Sequence, residues 1–245
     1  MTYVIEMRGV GLSYGAVRAL NGVSCEVRSG EVFALVGDNG AGKSSLIKII
    51  TGYARPTTGQ LLVSGIPVED WSPRKARSAG IEVVYQDLAL IEDMSLWRNF
   101  FLANEIRRGR SPLLIRQEMQ RICEECLREI GLGRRLSVKS RAEVLSGGER
   151  QALAIMRAVH FGRVALLLDE PVAALAVKET RRVFEAVERA KAQGLGIVYV
   201  DHNMANVHSV ADRIAVVEAG QIATIVSRDD VSVSELVSLV EMGAR

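Results

Sequence analysis

The stretch Glu31-Val32-Phe33-Ala34-Leu35-Val36-Gly37-Asp38-Asn39-Gly40-Ala41-Gly42-Lys43-Ser44 decides the fold. Six residues of mostly apolar character form a strand. They run into Gly37–Ser44, which fills the pattern G-x-x-x-x-G-K-[ST] in full. Ala41–Ile50 then reads as a helix. Strand, glycine-rich loop and helix in this order build a phosphate cradle. The glycines let backbone N–H groups turn inward, and the helix adds its positive amino end. Lys43 is placed to reach β- and γ-phosphates, and Ser44 to ligate Mg²⁺. The pattern implies a nucleotide at Gly37, Asp38, Asn39, Gly40, Ala41, Gly42, Lys43 and Ser44.

Outward from the loop, short strands are expected at Tyr3–Val10, Ser24–Arg28, Gln60–Ser64 and Ile81–Tyr85. Ile66-Pro67-Val68 reads as a turn and Pro73–Ser78 as a short helix. From about Asp87 to Val144 strand signals vanish, and helices are expected at Ser95–Asn104 and Ile115–Ile130. After Ser146, helices at Glu149–Val159 and Lys178–Ala192 alternate with strands at Val164–Leu168 and Gly196–Val200. The tail holds strands at Ile214–Glu218 and Gln221–Val226 and a helix from Ser234. Such alternation implies a parallel sheet, so the reading is one α/β domain over residues 1–245 with a helical lobe inserted at about 87–144.

Two further stretches carry chemistry. Ala165-Leu166-Leu167-Leu168-Asp169-Glu170 is an apolar strand ending in two acids, where a parallel sheet places its ligands. Asp169 suits Mg²⁺ through water. Glu170 suits the general base for an attacking water. Leu145-Ser146-Gly147-Gly148-Glu149-Arg150-Gln151 offers N–H groups and a hydroxyl to an anion at a helix start; its plain structural alternative is a helix cap after a glycine turn.

The loop, the Asp-Glu strand and Leu145–Gln151 together resemble the ATP-binding-cassette (ABC) ATPase family, over nearly the whole chain. The resemblance implies a phosphate-loop core with a parallel sheet, an amino-terminal antiparallel β subdomain and an inserted helical subdomain. It makes the nucleotide ATP and adds the second loop hydroxyl, Ser45, to its site. It also implies roles for residues that are otherwise unremarked. Tyr14 matches the aromatic on which adenine stacks. Gln86 matches the glutamine that senses γ-phosphate and Mg²⁺. His202 matches the switch histidine, catalytic beside Glu170. Ser146, Gly147 and Gly148 match the signature that completes the ATP site of a second subunit in trans. One run departs from the pattern: Ala173-Ala174-Leu175-Ala176 lacks the family's Asp. In this it is similar to sugar importers of the ribose and fructose type, as are Gly37–Ser44 and Tyr85–Leu90. The implied function is the ATP-hydrolysing subunit of a sugar importer. Its partners would be a second copy of itself, polytopic permease subunits docked on the helical lobe and, indirectly, a solute-binding protein. An ABC ATPase that moves no solute, such as an iron–sulfur assembly scaffold subunit, stays open.

Composition agrees with this. The net charge is +2, from 31 basic and 29 acidic residues, which gives no electrostatic case for a nucleic-acid partner. No stretch approaches the ~20 apolar residues of a membrane span, and Met1–Glu6 lacks a signal-peptide layout. The expected location is the cytoplasmic face of the cell membrane, with a partner holding the chain there. Cys123 and Cys126 fall on one apolar helical stripe with Ile115, Met119, Ile122, Leu127 and Ile130, and read as core rather than as metal ligands. The chain stops at Arg245, so the long carboxyl-terminal regulatory domain of maltose-type importer ATPases is expected to be missing.

Overall fold

A computed structural model describes every residue except Met1, Asp87, Arg110, Arg134, Ala174, Ala244 and Arg245. Asp87, at the expected start of the lobe, and Ala174, in the run after Pro171, therefore lie outside the described residues. In chain order the elements are β1 (Tyr3–Tyr14), β2 (Val17–Arg28), β3 (Val32–Val36), α1 (Lys43–Ile50), β4 (Thr58–Val63), β5 (Ile66–Pro67), α2 (Pro73–Ser78), β6 (Ile81–Val84), α3 (Leu96–Phe100), α4 (Arg116–Glu129), α5 (Gly147–Phe161), β7 (Ala165–Asp169), α6 (Val177–Ala192), β8 (Gly196–Val200), α7 (Met204–Val210), β9 (Arg213–Glu218), β10 (Gln221–Ser227) and α8 (Val233–Gly243).

The chain divides into two compact units. The first comprises Met1–Tyr85, Phe161–Pro171 and Val187–Arg245, the second Gln86–His160 and Val172–Ala186. All ten strands found among the described residues belong to the first. They form a four-stranded antiparallel sheet, ordered β2-β1-β4-β5, and a six-stranded sheet, ordered β10-β9-β3-β8-β7-β6. The larger sheet is parallel through β9-β3-β8-β7-β6 and gains an antiparallel edge from the β9–β10 pair. Its inner strands are buried on both faces, which explains the continuous apolar runs of β3, β7 and β8. One apolar cluster joins the two sheets through α1: Leu46, Ile47, Ile49 and Ile50 pack with Ile5, Val10 and Val23 of one sheet and Phe33, Leu167 and Val198 of the other. Each such side chain contributes about 1.5–3 kcal/mol by burial. This packing fixes α1, and with it the loop at its amino end.

Several elements differ from their sequence expectation for local reasons. β1 and β2 are much longer than Tyr3–Val10 and Ser24–Arg28. Register shifts between Met7 and Leu12, beside Gly9 at φ +61°, break the alternation by which a strand is recognised. Ile66-Pro67 pairs with β4 as a two-residue edge strand, the place where a proline costs no ladder bond. α3 stops at Phe100 instead of reaching Asn104. The chain tightens there into i→i+3 bonds (Leu102 N–H to Asn99 O, Asn104 N–H to Phe101 O), with Ala103 at φ +66°. Asn99, fully buried, turns its amide back onto the preceding loop: it accepts from Ile91 N–H at 2.8 Å and donates to Ile91 O at 2.9 Å and Met94 O at 3.0 Å. α7 has no counterpart in the sequence reading; Asn203 caps it, accepting from the N–H groups of Ala205 and Asn206.

The helical unit extends beyond the strand-free stretch. It takes in most of α5 and the first half of α6 as well as α3 and α4. Its core includes Met119, Cys123, Cys126 and Leu127 of α4. Burial raises the two thiols to about 12 and about 11, so they stay protonated. His160 packs edge-on and tilted against Phe101 and Phe100. No helix among the described residues is long and apolar enough to cross a membrane.

Candidate phosphate site

The first unit gathers the loop, both acids and His202. Gly37 leaves β3 at φ +142°, and a Cβ there would collide with the carbonyl oxygen of Val217 on β9. Gly42 caps α1 at φ +116°, with Leu20 and the Ala19 carbonyl 2.9 and 3.0 Å from where a Cβ would sit. These two glycines are therefore required by sterics as well as by φ. Lys43 curls over the loop it follows, its ammonium donating to the carbonyls of Gly37 at 2.7 Å and Asp38 at 2.8 Å.

The carboxyl end of β7 carries the acids to the same place. Asn39, Gly40, Lys43, Ser44, Ser45, Asp169 and Glu170 line a single cleft of about 170 Å³. Burial pushes the Lys43 ammonium below the usual lysine range, while the charges of Glu170, Asp38 and Asp169 pull it back up. Burial, and then Glu170, push Asp169 above the usual carboxylate range against the pull of Lys43. An ammonium and two carboxylates thus share a partly buried cleft with the Ser44 and Ser45 side chains. Ser44 and Asp169 offer a hydroxyl and a carboxylate on its wall, the oxygen donors a hard divalent cation takes alongside water and phosphate oxygens. The residues fit Mg²⁺.

Glu170 has φ +49°, the left-handed region that side chains other than glycine seldom enter. Its N–H donates to Val200 O at 2.8 Å, which ties the turn after β7 to β8. The strain sits at the residue read as the general base, where it re-aims the carboxylate out of the strand direction. Glu170 Oε1 lies 3.3 Å from His202 Nδ1. His202 in turn follows Asp201, a buried carboxylate that accepts from the Tyr199 hydroxyl at 3.0 Å, Asn206 Nδ2 at 3.2 Å and the Asn203 N–H at 2.9 Å. This net holds the turn that presents His202. Sequence reading missed Tyr199, Asp201 and Asn206; an acid immediately before His202 and the Asn203 cap signal were both legible. Tyr14 ends β1 half exposed. His208 is used structurally, its Nε2 2.8 Å from Val231 O.

The remaining expected residues belong to the second unit. Gln86 is exposed. Ser146 precedes α5 and forms a reciprocal cap with Glu149: the Ser146 N–H donates to Glu149 Oε2 at 2.9 Å, and the Glu149 N–H to Ser146 Oγ at 3.3 Å. Arg135 anchors the same carboxylate at 2.7 Å. Gly147 is open on its Cβ side, whereas a Cβ on Gly148 would run into the carboxyl group of Glu179. The cap named as the plain alternative for Ser146–Glu149 is therefore present, and it is also the device that orients the Ser146 hydroxyl.

The ABC transporter family profile matches residues 20–173. The chain belongs to the ABC transporter family. Two sugar-import relatives are similar along nearly their whole length. A xylose/arabinose import ATP-binding protein of Sulfolobus acidocaldarius is 44% identical over 98% of this chain and 94% of its own. A fructose import ATP-binding protein of Rhizobium meliloti is 41% identical over 97% and 93%. Among solved structures, an ATP-binding subunit of an ABC transporter superposes with TM-score 0.79 at 26% identity, covering 97% of this chain and 99% of that one.

Proposed function

We propose that this ABC protein is the ATP-hydrolysing subunit that powers import of a sugar through a membrane permease. The observation that carries the reading is the cleft in which the glycine loop, Lys43, Asp169 and Glu170 converge. The import roles named for the xylose/arabinose and fructose relatives support the sugar class.

In this reading the N–H groups of Gly37–Ser45 and the ammonium of Lys43 hold the phosphates, and Tyr14 stacks on adenine. Lys43 must exchange the carbonyls of Gly37 and Asp38 for phosphate oxygens, so that its ammonium meets an anionic acceptor in place of a neutral one. Ser44 and Asp169 would hold Mg²⁺, which when bound neutralises charge on the phosphate oxygens. Glu170 accepts a proton from the water whose oxygen attacks the γ-phosphorus as the bond to the bridging oxygen breaks, giving ADP and phosphate. His202, close to Glu170, contacts the γ-phosphate side of the cleft. Ser146, Gly147 and Gly148 of a second copy supply donors to the far side of the γ-phosphate, so that ATP joins two chains head to tail. Residues 1–245 act as one ABC domain whose helical part receives the permease, and the chain sits at the cytoplasmic membrane face through that partner.

The test is purification from membranes followed by reconstitution with the co-purifying polytopic subunits. A permease that co-purifies, and ATPase activity stimulated by one sugar through its binding protein, are expected. A soluble complex without a membrane protein and without sugar stimulation would contradict the importer reading and favour an ABC ATPase that moves no solute.

A further inference from the structure

The signature serine already has an anionic partner within its own chain. The Ser146 hydroxyl lies 3.1 Å from Glu179 Oε1. The other oxygen of Glu179 accepts the Ala176 N–H at 3.3 Å, which fixes the side chain at the start of α6. The carboxyl group lies on the Gly148 face, on the spot a Cβ of that glycine would need. A hydroxyl has one proton, and an ionised carboxylate can only accept. The Ser146 proton is thus committed to Glu179, while its oxygen receives the Glu149 N–H.

We propose that Glu179 is a further residue of the ATP cycle: its carboxylate, seated against Gly148, occupies the Ser146 hydroxyl as an internal anion and must leave before the γ-phosphate held by a second copy can take that donor. The proposal rests on the composite-site reading given above. A phosphate oxygen is also an acceptor, so it cannot share the Ser146 proton, and its negative charge opposes that of Glu179. ATP-driven pairing is therefore weakened by the fraction of chains in which the signature is held. The run Val172–Glu179 then does more than lack the family's acid at Ala176: its acid stands three residues later, turned toward its own chain's signature.

The test uses the full chain carrying Glu170→Gln, which stops turnover, titrated with MgATP while dimer is followed by sedimentation. Adding Glu179→Gln, which removes the charge and keeps an acceptor for the Ala176 N–H, is expected to lower the half-saturating ATP by roughly fivefold to tenfold. Glu179→Ala is expected to do the same even where its thermal midpoint falls. The gain is expected to vanish when Ser146→Ala is present. A dimer in Glu170→Gln alone whose half-saturation stays the same or rises in both Glu179 variants overturns the inference and leaves Glu179 as a helix cap. No ATP-dependent dimer in Glu170→Gln alone overturns the composite-site reading and the inference together.

Discussion

Tyr199→Phe removes one oxygen atom from the interior of the first unit and nothing else. That hydroxyl is buried and donates to Asp201 Oδ2 at 3.0 Å. The ring itself is fully buried near the carboxyl end of β8, and phenylalanine keeps it. Burial, and then the carboxylate of Asp201, push the phenol far above its ordinary range, so it is a donor at every working pH. A hydrogen bond to a charged group is worth about 1.5–3 kcal/mol. Asn206 Nδ2 stays on the same oxygen and the Asn203 N–H on the other, so part of that is retained, and a loss of about 1–2 kcal/mol is expected. For a chain of this size this lowers the thermal midpoint by roughly 3–6 °C. Because Asp201 holds the turn that presents His202, kcat for ATP hydrolysis should fall about threefold to tenfold, while KM changes less than about twofold. Differential scanning fluorimetry and steady-state ATPase assays read both. A midpoint within about 1 °C of the parent with kcat unchanged would refute the reasoning, since the Asp201 net would then hold nothing that matters.

Three other outcomes follow from the same geometry. Asp169→Asn abolishes hydrolysis yet raises the thermal midpoint at pH 7.5: a carboxylate raised by burial destabilises the folded state above its folded pKa, and that cost fades as pH falls through it, so the gain should shrink in melts at progressively acid pH. Gly37→Ala forces a side chain onto the Val217 carbonyl at φ +142° and should weaken ATP binding more than about tenfold, measured by calorimetry. Cys123 and Cys126, buried with thiols at about 12 and about 11, should react with a thiol reagent at pH 8 only on unfolding, and a chelator should leave the midpoint unchanged.

What could be read from the sequence was whatever local pattern and chemistry placed in one continuous stretch. Val32–Lys43 is strand, turn and helix in immediate succession, and its glycines are needed where they stand. Ala165–Asp169 likewise carries its fold and its chemistry together. Asn99 hid the end of α3, because a side chain that bonds backward to Ile91 and Met94 leaves no trace in helical periodicity. Bulges hid the true length of β1 in the same way. The partners of site residues were the least legible. Nothing in the local pattern says that Glu179, 33 positions after Ser146, holds its hydroxyl, or that Tyr199 reaches past its neighbour to Asp201. Those links exist only once the elements pack.

The central claim is that Glu170, turned into the cleft at φ +49°, is the base for ATP hydrolysis. Single-turnover hydrolysis of bound ATP by Glu170→Gln tests it most directly. The account predicts nucleotide affinity close to that of the parent and a hydrolysis rate lower by about 10²–10⁴-fold. A Glu170→Gln chain that hydrolyses bound ATP at the parental rate would contradict it.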